Sequence, residues 1–484
     1  MTAFAGVAEL GEALRAKRVS AVELAHETLD RLEKNGPRYN AVASLLRARA
    51  LREAAAADRA LSRGDAGSPL LGIPYGAKDL LAARGAPTTW GAAPYRKQVF
   101  RADATAVAKL RRAGAVLAAK LAMVELAGGG GYRYASASLQ GPGRNPWDTS
   151  RWTGGSSSGS GAAVAAGLVP FALGSETSGS IGTPSAYCGV TGLRPTYGLV
   201  SRHGAMALSW TLDKIGPLAR SASDCAVVLA AIAGPDAHDA TTSGKRFRPL
   251  DAEAARERVE SARIGYAGEE IVELASPAAR DALLRGVEEL RRIVPRFVDA
   301  RLPEDLPYAA MAGTVIGAES ATIFAELIEG DRLDEMPDAR QKAGFRAALR
   351  ITARDYLQAM RLRSVLIART REIFRDCDVI LSAGRTATAT PIEQALDAAT
   401  LPPGASAARD AAAVPARRRG NVGLIPAGNL AGLPAIFFPC GLGSDGLPVG
   451  LQLVGPPFSE PLLVAIVEAY QRETEHHRAR PASA

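Results

Sequence analysis

The residues best placed to do chemistry are serines. The stretch "GSETSGSIGTPSAYCG", Gly174 to Gly189, carries Ser175, Ser178, Ser180 and Ser185 between the apolar runs "AAVAAGLVPFAL" and "VTGLRPTYGLV". A serine nucleophile needs a group to take its proton, most often a histidine. The chain has 5 histidines. His26 falls in an N-terminal helical pattern, His238 follows the loop signal "GPDAHD", and His476 and His477 lie in a polar C-terminal segment. His203, in "SRHGAM", is the one near the serines, and it reads as a loop histidine satisfied locally. "GSSSG" approaches the G-x-S-x-G elbow but lacks its usual strand–turn–helix setting. A Ser-His-Asp arrangement is therefore disfavoured.

A lysine replaces histidine as base when burial lowers its pKa. Lys78 stands in "GIPYGAKDLL", an apolar segment shaped by Gly and Pro. A lone lysine is ordinarily a surface charge. In this setting burial is costly unless the amine is neutral or hydrogen-bonded, and hydroxyls are fitting partners. A second hydroxyl cluster, "WTGGSSSGSGAAVAAG", could be a phosphate-binding loop, but the Gly-Lys-Ser/Thr ending is missing. A linker would not run straight into a small-residue helix. What remains is a tight loop that places a serine at a helix start.

Regular elements must hold these groups. Residues 1–65 read as helices: Ser20 and Glu23 form a capping-box pattern before "AVELAHETLDRLEK", and the Ala/Arg-rich run from Val42 to Arg63 continues in that style. From "SPLLGIPYGAKDLL" onward, short apolar runs punctuated by Gly and Pro read as strands and tight turns. "DATAVAKLRRAGAVLAAKL" reads as helix, glycine stop and a buried strand near Ala115 to Lys120. A small-residue helix at 162–167 precedes the strand "LVPFAL". Further strands are expected at "ARIGYAG", "CDVILSA", "LPAIFFPCG" and "LPVGLQLVG", with a final helix from about Glu460. Ala395 to Arg419 reads as a mobile Ala/Pro/Arg loop. This alternation points to an α/β layered fold.

Composition narrows the function classes. Of the 484 residues 47% are hydrophobic, as in a soluble globular protein. The net charge of +8 is spread out, aromatics are only 5%, and the single tight basic run is Arg417–Arg419, so no nucleic-acid partner is expected. Cys188, Cys225, Cys377 and Cys440 lack metal or redox spacing and read as buried thiols in a reducing compartment. The start of the chain lacks a signal-peptide pattern, and the longest apolar run, Ala162 to Leu173, is too short and too broken to span a bilayer. A cytoplasmic protein without a membrane partner is expected.

Together, "GIPYGAKDLL", "GGSSSGSGAAVAAG" and "GSETSGSIGTPSAYCGVTGLRPTYG" resemble the three linked motifs of the amidase signature family. The likeness continues through "NPWD" and "NLAGLPAIFFPCG…LPVGLQLVG". It implies an α/β/α layered sandwich, with a central, mostly mixed twisted sheet covered by helices. It also implies a single domain over 1–484: N-terminal helices at 1–65, a catalytic core at 66–230, a variable pocket region at 231–420, and completing strands and helix at 421–484. The family's Ser–cis-Ser–Lys triad maps onto Ser180 as nucleophile, Ser156 as bridge after a cis Gly155–Ser156 bond, and Lys78 as base. Backbone N–H groups of Thr177, Ser178, Gly179 and Ser180 would hold the oxyanion, and Gly130 would offer backbone to substrate.

The resemblance implies an amidase that hydrolyses a small-molecule amide with water through an acyl-serine, its chemistry extending to esters, anilides or carbamates. No cofactor and no metal are implied, and a homodimer is a family-level expectation. The alternatives are the catalytic A-type subunit of a glutamyl-tRNA amidotransferase and a non-catalytic scaffold. Many members have Gly where Ser178 stands. Members acting on glutamine in transamidation commonly have Arg at the place of Gly182, and Asn and Asp at the places of Ala122 and Val124. These departures favour a free-standing amidase. Its acyl pocket is expected from residues 300–420, whose apolar helices suit an uncharged acyl group.

Overall fold

The computed structural model describes residues 2–65, 67–396 and 420–482. Most of the predicted loop at 395–419 lies outside the described residues.

The strands are β1 (Val42–Leu45), β2 (Pro74–Lys78), β3 (Val116–Leu121), β4 (Arg144–Asn145), β5 (Asp148–Trp152), β6 (Phe171–Glu176), β7 (Thr191–Arg194), β8 (Lys214–Ala219), β9 (Arg263–Tyr266), β10 (Arg296–Asp299), β11 (Val379–Ala383), β12 (Ala435–Leu442) and β13 (Pro448–Val454). Strands β4 and β5 form a separate hairpin. The rest make one 11-stranded sheet in the order β1-β3-β2-β6-β8-β7-β12-β13-β11-β9-β10. It is mixed, as expected: β2 runs parallel to β3 and β6, while β8, β7, β12 and β13 pair antiparallel with their neighbours.

The layering follows from alternation along the strands. On β12, Ile436, Phe438 and Cys440 enter one hydrophobic cluster, while Ala435 and Phe437 enter another. Successive side chains of a strand point to opposite faces, so both faces of the sheet are covered. The first cluster takes Leu463, Ile466 and Val467 from the helix Glu460–Thr474. The second takes Met311 and Val315 from Tyr308–Ile323 and Leu424 and Leu430 from Leu424–Leu430. The result is an α/β/α sandwich.

Two sequence expectations need correction. Residues 42–45 are not helical: they form the edge strand β1, antiparallel to β3, and the helix begins at Arg47. The Ala/Arg-rich run that follows favours helix, but pairing with β3 overrides a weak local propensity at 42–45. The small-residue helix runs Ser158–Ala165, starting four residues before Ala162 and inside the serine loop itself. The strands expected at "ARIGYAG" and "CDVILSA" are β9 and β11, and β10 joins them in the sheet. The Ser20–Glu23 capping box is present, with Glu23 N donating to Ser20 Oγ at 3.1 Å and Ser20 N to Glu23 Oε2 at 2.8 Å.

Candidate active site

Lys78 ends β2, and parallel pairing with β6 (Tyr75 opposite Phe171, Ala77 opposite Leu173) sets it beside Ser175. Both strands end at the carboxyl edge of the sheet, where α/β folds bind ligands. The Lys78 side chain is 0% exposed. Its Nζ donates to Ser156 Oγ at 2.7 Å and to Ser175 Oγ at 3.0 Å. No carboxylate pairs with it among the described residues. The adjacent Asp79 turns instead to a second buried lysine, Lys120, at 2.8 Å. Burial lowers the Lys78 pKa to about 7, despite the opposing fields of Asp213 and Glu176. A neutral amine has two donors and one lone pair. It can donate to Ser175 while accepting from Ser156.

Ser156 is 2% exposed and follows a cis Gly155–Ser156 peptide bond. Several ties hold its loop. Ser157 Oγ donates to Ser175 O at 3.2 Å, Ser175 N to Ser157 Oγ at 3.3 Å, and Val124 N to Ser156 O at 3.1 Å. The helix that follows is buried along its whole length. Gly159 explains the small residues there: a Cβ would lie 2.3 Å from Ala41 O and 2.5 Å from Ala122 N. Backbone passes too closely for any larger residue.

Ser180, 8% exposed, sits in the turn between β6 and the helix Gly182–Cys188. Glu176 organises this turn. Its Oε2 accepts from Ile181 N at 2.8 Å and Gly182 N at 2.9 Å, and its Oε1 accepts from Arg194 at 2.7 Å and Asn429 at 2.8 Å. Burial would raise its pKa, but Arg194, Asn429 and the amides outweigh burial and hold it down to about 2. Thr177 Oγ1 donates to Asp213 Oδ1 at 2.6 Å. Gly179 takes φ +90°, a backbone region that other residues rarely adopt. The N–H groups of Thr177, Ser178, Gly179 and Ser180 donate to no protein acceptor among the described residues. Ser157 N donates to Ser180 O at 3.3 Å and ties the two serine loops together. No hydrogen bond joins the Ser156 and Ser180 hydroxyls, so the structure holds the Lys78–Ser156 half of the expected relay and leaves Ser180 Oγ to close it. Such contacts often tighten only when substrate binds.

Ser180 opens onto a cavity of about 300 Å³. Its walls include Tyr132, Trp152, Tyr187, Leu208, Ile316 and Leu396. Most of the lining comes from the signature core rather than from residues 300–420, which supply Ile316, Arg385, Thr390 and Leu396. Gly130 also departs from expectation and does not line the cavity. A Cβ there would lie 2.4 Å from Gln341 O and 2.9 Å from the Phe345 ring, so Gly130 is packed against the helix Ala339–Ala348, and Ala127 and Gly128 line the cavity instead. Sequence reasoning missed Ser175, Glu176, Arg194, Asn429 and Arg385. A charged residue closing an apolar strand in "GLRP" and a lone Asn in "AGNLAG" were the available signals. His203 stacks on His238 at 4.9 Å, and its backbone N–H donates to Ser201 Oγ at 3.2 Å. All four cysteines are buried and unpaired.

The fold is that of the amidases. The chain belongs to the amidase family, whose sequence model, Amidase, matches residues 23–464. It is 36% identical to the A-type subunit of glutamyl-tRNA(Gln) amidotransferase from Chloroflexus aggregans, over 97% of this chain and 96% of that one. Among solved structures it resembles the peptide amidase of Stenotrophomonas maltophilia (TM-score 0.82, 30% identity, 98% of each chain). It also resembles a protein of a vestigial complex tied to the origins of an s-triazine catabolic enzyme (TM-score 0.84, 31% identity, 99% of this chain and 100% of that one). Among the described residues no helix is long and apolar enough to cross a membrane.

Proposed function

We propose that this chain cleaves an amide C–N bond by acyl transfer to Ser180. The observation that carries the reading is the buried Lys78 amine, 2.7 Å from Ser156 Oγ and with no carboxylate paired to it among the described residues. Ser180 Oγ attacks the carbonyl carbon, its proton passes to Ser156 Oγ, and the Ser156 proton passes to Lys78 Nζ. The carbonyl oxygen takes up negative charge and is held by the N–H groups of 177–180. One such donor is worth about 100- to 1000-fold in rate. As the C–N bond breaks, Lys78 returns its proton through Ser156 to the leaving amine. Water then attacks the acyl ester, gives its proton to the same relay, and releases the acid and free Ser180. Esters, anilides and carbamates fit the same steps. A non-catalytic scaffold would not need a neutral buried lysine beside two converging serine loops.

Two settings for this chemistry rest on different observations. The curated relatives are named as A-type subunits of glutamyl-tRNA(Gln) amidotransferases, which supports a role as the amide-cleaving member of such an assembly more strongly than the sequence motifs do. At Gly182, a Cβ would lie 2.4 Å from the Phe437 ring. That leaves no room for the arginine expected of a glutamine-acting member, which supports a free-standing amidase. Purification decides between them. A chain that is isolated alone and releases ammonia from simple amides supports the free-standing enzyme. One that co-purifies with other proteins of the assembly and releases ammonia from glutamine supports the amidotransferase. A chain whose Ser180 does not react with a fluorophosphonate would overturn both.

A further inference from the structure

Arg385 is the one charged residue lining the Ser180 cavity among those described. It follows β11 and is half-buried. Its Nε donates to Thr183 Oγ1 at 3.0 Å, and one terminal nitrogen contacts the same hydroxyl. That terminal nitrogen lies 3.2 Å from where a Cβ on Gly179 would stand, so the guanidinium reaches the oxyanion loop itself. Of its five N–H donors, those two contacts use two, and no carboxylate pairs with it among the described residues. The Tyr132 and Tyr187 phenols both lie within its field. A half-buried guanidinium without a counter-ion is costly, and its planar fork matches a carboxylate with two parallel hydrogen bonds.

We propose that Arg385 binds a carboxylate of the substrate, so that the amide taken at Ser180 carries an acid group a few bonds from the scissile carbonyl, with an apolar or aryl spacer against the Tyr132, Trp152, Tyr187 and Leu208 walls. The proposal rests on the amide-cleaving reading above. It differs from the uncharged acyl group expected from sequence because the charge comes from a short loop after β11, not from the helices.

The test uses the full chain and the rate at which a fluorophosphonate labels Ser180. The protectants are two matched pairs: glutaramate against glutaramide, and 4-carbamoylbenzoate against terephthalamide. In each pair a carboxylate replaces a neutral carboxamide. In at least one pair the anion should half-protect at a concentration about 10- to 100-fold lower, the range of a charge-assisted hydrogen-bonded pair. Arg385→Met should bring that ratio to about one, and Arg385→Lys should retain part of it. If Arg385→Met does not fold, Arg385→Lys decides: a reduced ratio supports the proposal and an unchanged one overturns it. Equal protection by both members of both pairs in the wild type overturns it too. So does equal weakening of both members by Arg385→Met, which would place the guanidinium on the reaction's oxyanion. Absence of labelling in the wild type removes the amide-cleaving reading and the proposal with it. Labelling without charge discrimination removes the proposal alone.

Discussion

Lys78 Nζ stands 2.7 Å from Ser156 Oγ although 78 positions separate them in the chain. One closes a strand and the other lies two residues before a buried helix. Their meeting turns an expensive buried amine into a base, because burial disfavours its charged form and serine hydroxyls satisfy its neutral one.

The pH dependence follows from that pair. Lys78 must be neutral to accept a proton, and its pKa is lowered to about 7. We expect kcat/KM to climb about tenfold per pH unit below that value and to level off above it. A profile that stays flat down to about pH 5 would show that another group serves as base.

Replacing Ser180 removes the attacking oxygen without disturbing the turn, whose hydrogen bonds run through Glu176 and the backbone. Ser180→Ala should lower ammonia release from any cleaved amide by at least about a thousandfold. Its thermal midpoint should stay within a few degrees of wild type. Turnover near wild type would remove Ser180 from the mechanism.

Ser156→Ala interrupts the relay and leaves the Lys78–Ser175 contact in place. The expected loss is about 100- to 10,000-fold in kcat, the range for displaced general acid–base help. Fluorophosphonate labelling of Ser180 should slow in parallel. Labelling at the wild-type rate would mean that Ser180 loses its proton by another route.

The Glu176–Arg194 pair is wholly buried, and breaking it from one side strands a charge. Arg194→Met should destabilise the fold by about 3–5 kcal/mol in denaturant titrations. The sign with pH is also defined. Because the Glu176 pKa is depressed to about 2, its stabilisation is present above the ordinary carboxylate range and is lost as pH falls through about 2. A loss below about 1 kcal/mol would show that Asn429 and the Ile181 and Gly182 amides hold the carboxylate without Arg194.

Much of the architecture is legible in the linear chain. Apolar runs such as "VLAAKL" and "LVPFAL" announce buried strands, the second of which begins at Phe171 and runs on to Glu176, and Ser20 with Glu23 announces a helix start. The motif serines and Lys78 are legible too, since a lysine in an apolar segment and hydroxyls beside small residues are locally unusual. Edge strand β1 is not legible, because its four residues become a strand through pairing with β3 rather than by propensity. The place of Gly130 is hidden for a related reason: a glycine's type does not say which neighbour crowds it, and here it is Gln341 and Phe345.

The sequence by itself determined which residue types could react and the order in which strands deliver them. It set Lys78 at the end of one apolar run and Ser180 just past another. Only the tertiary structure decided the electrostatics. Whether Lys78 is neutral depends on its lacking a counter-ion while Lys120 keeps Asp79. Whether the turn at Ser180 holds depends on Arg194 and Asn429 reaching Glu176 from 18 and 253 positions away. Whether the cavity carries charge depends on Arg385 meeting Thr183, 202 positions away. Charge interactions act through space with a strength set by distance and burial, and neither quantity is written along the chain.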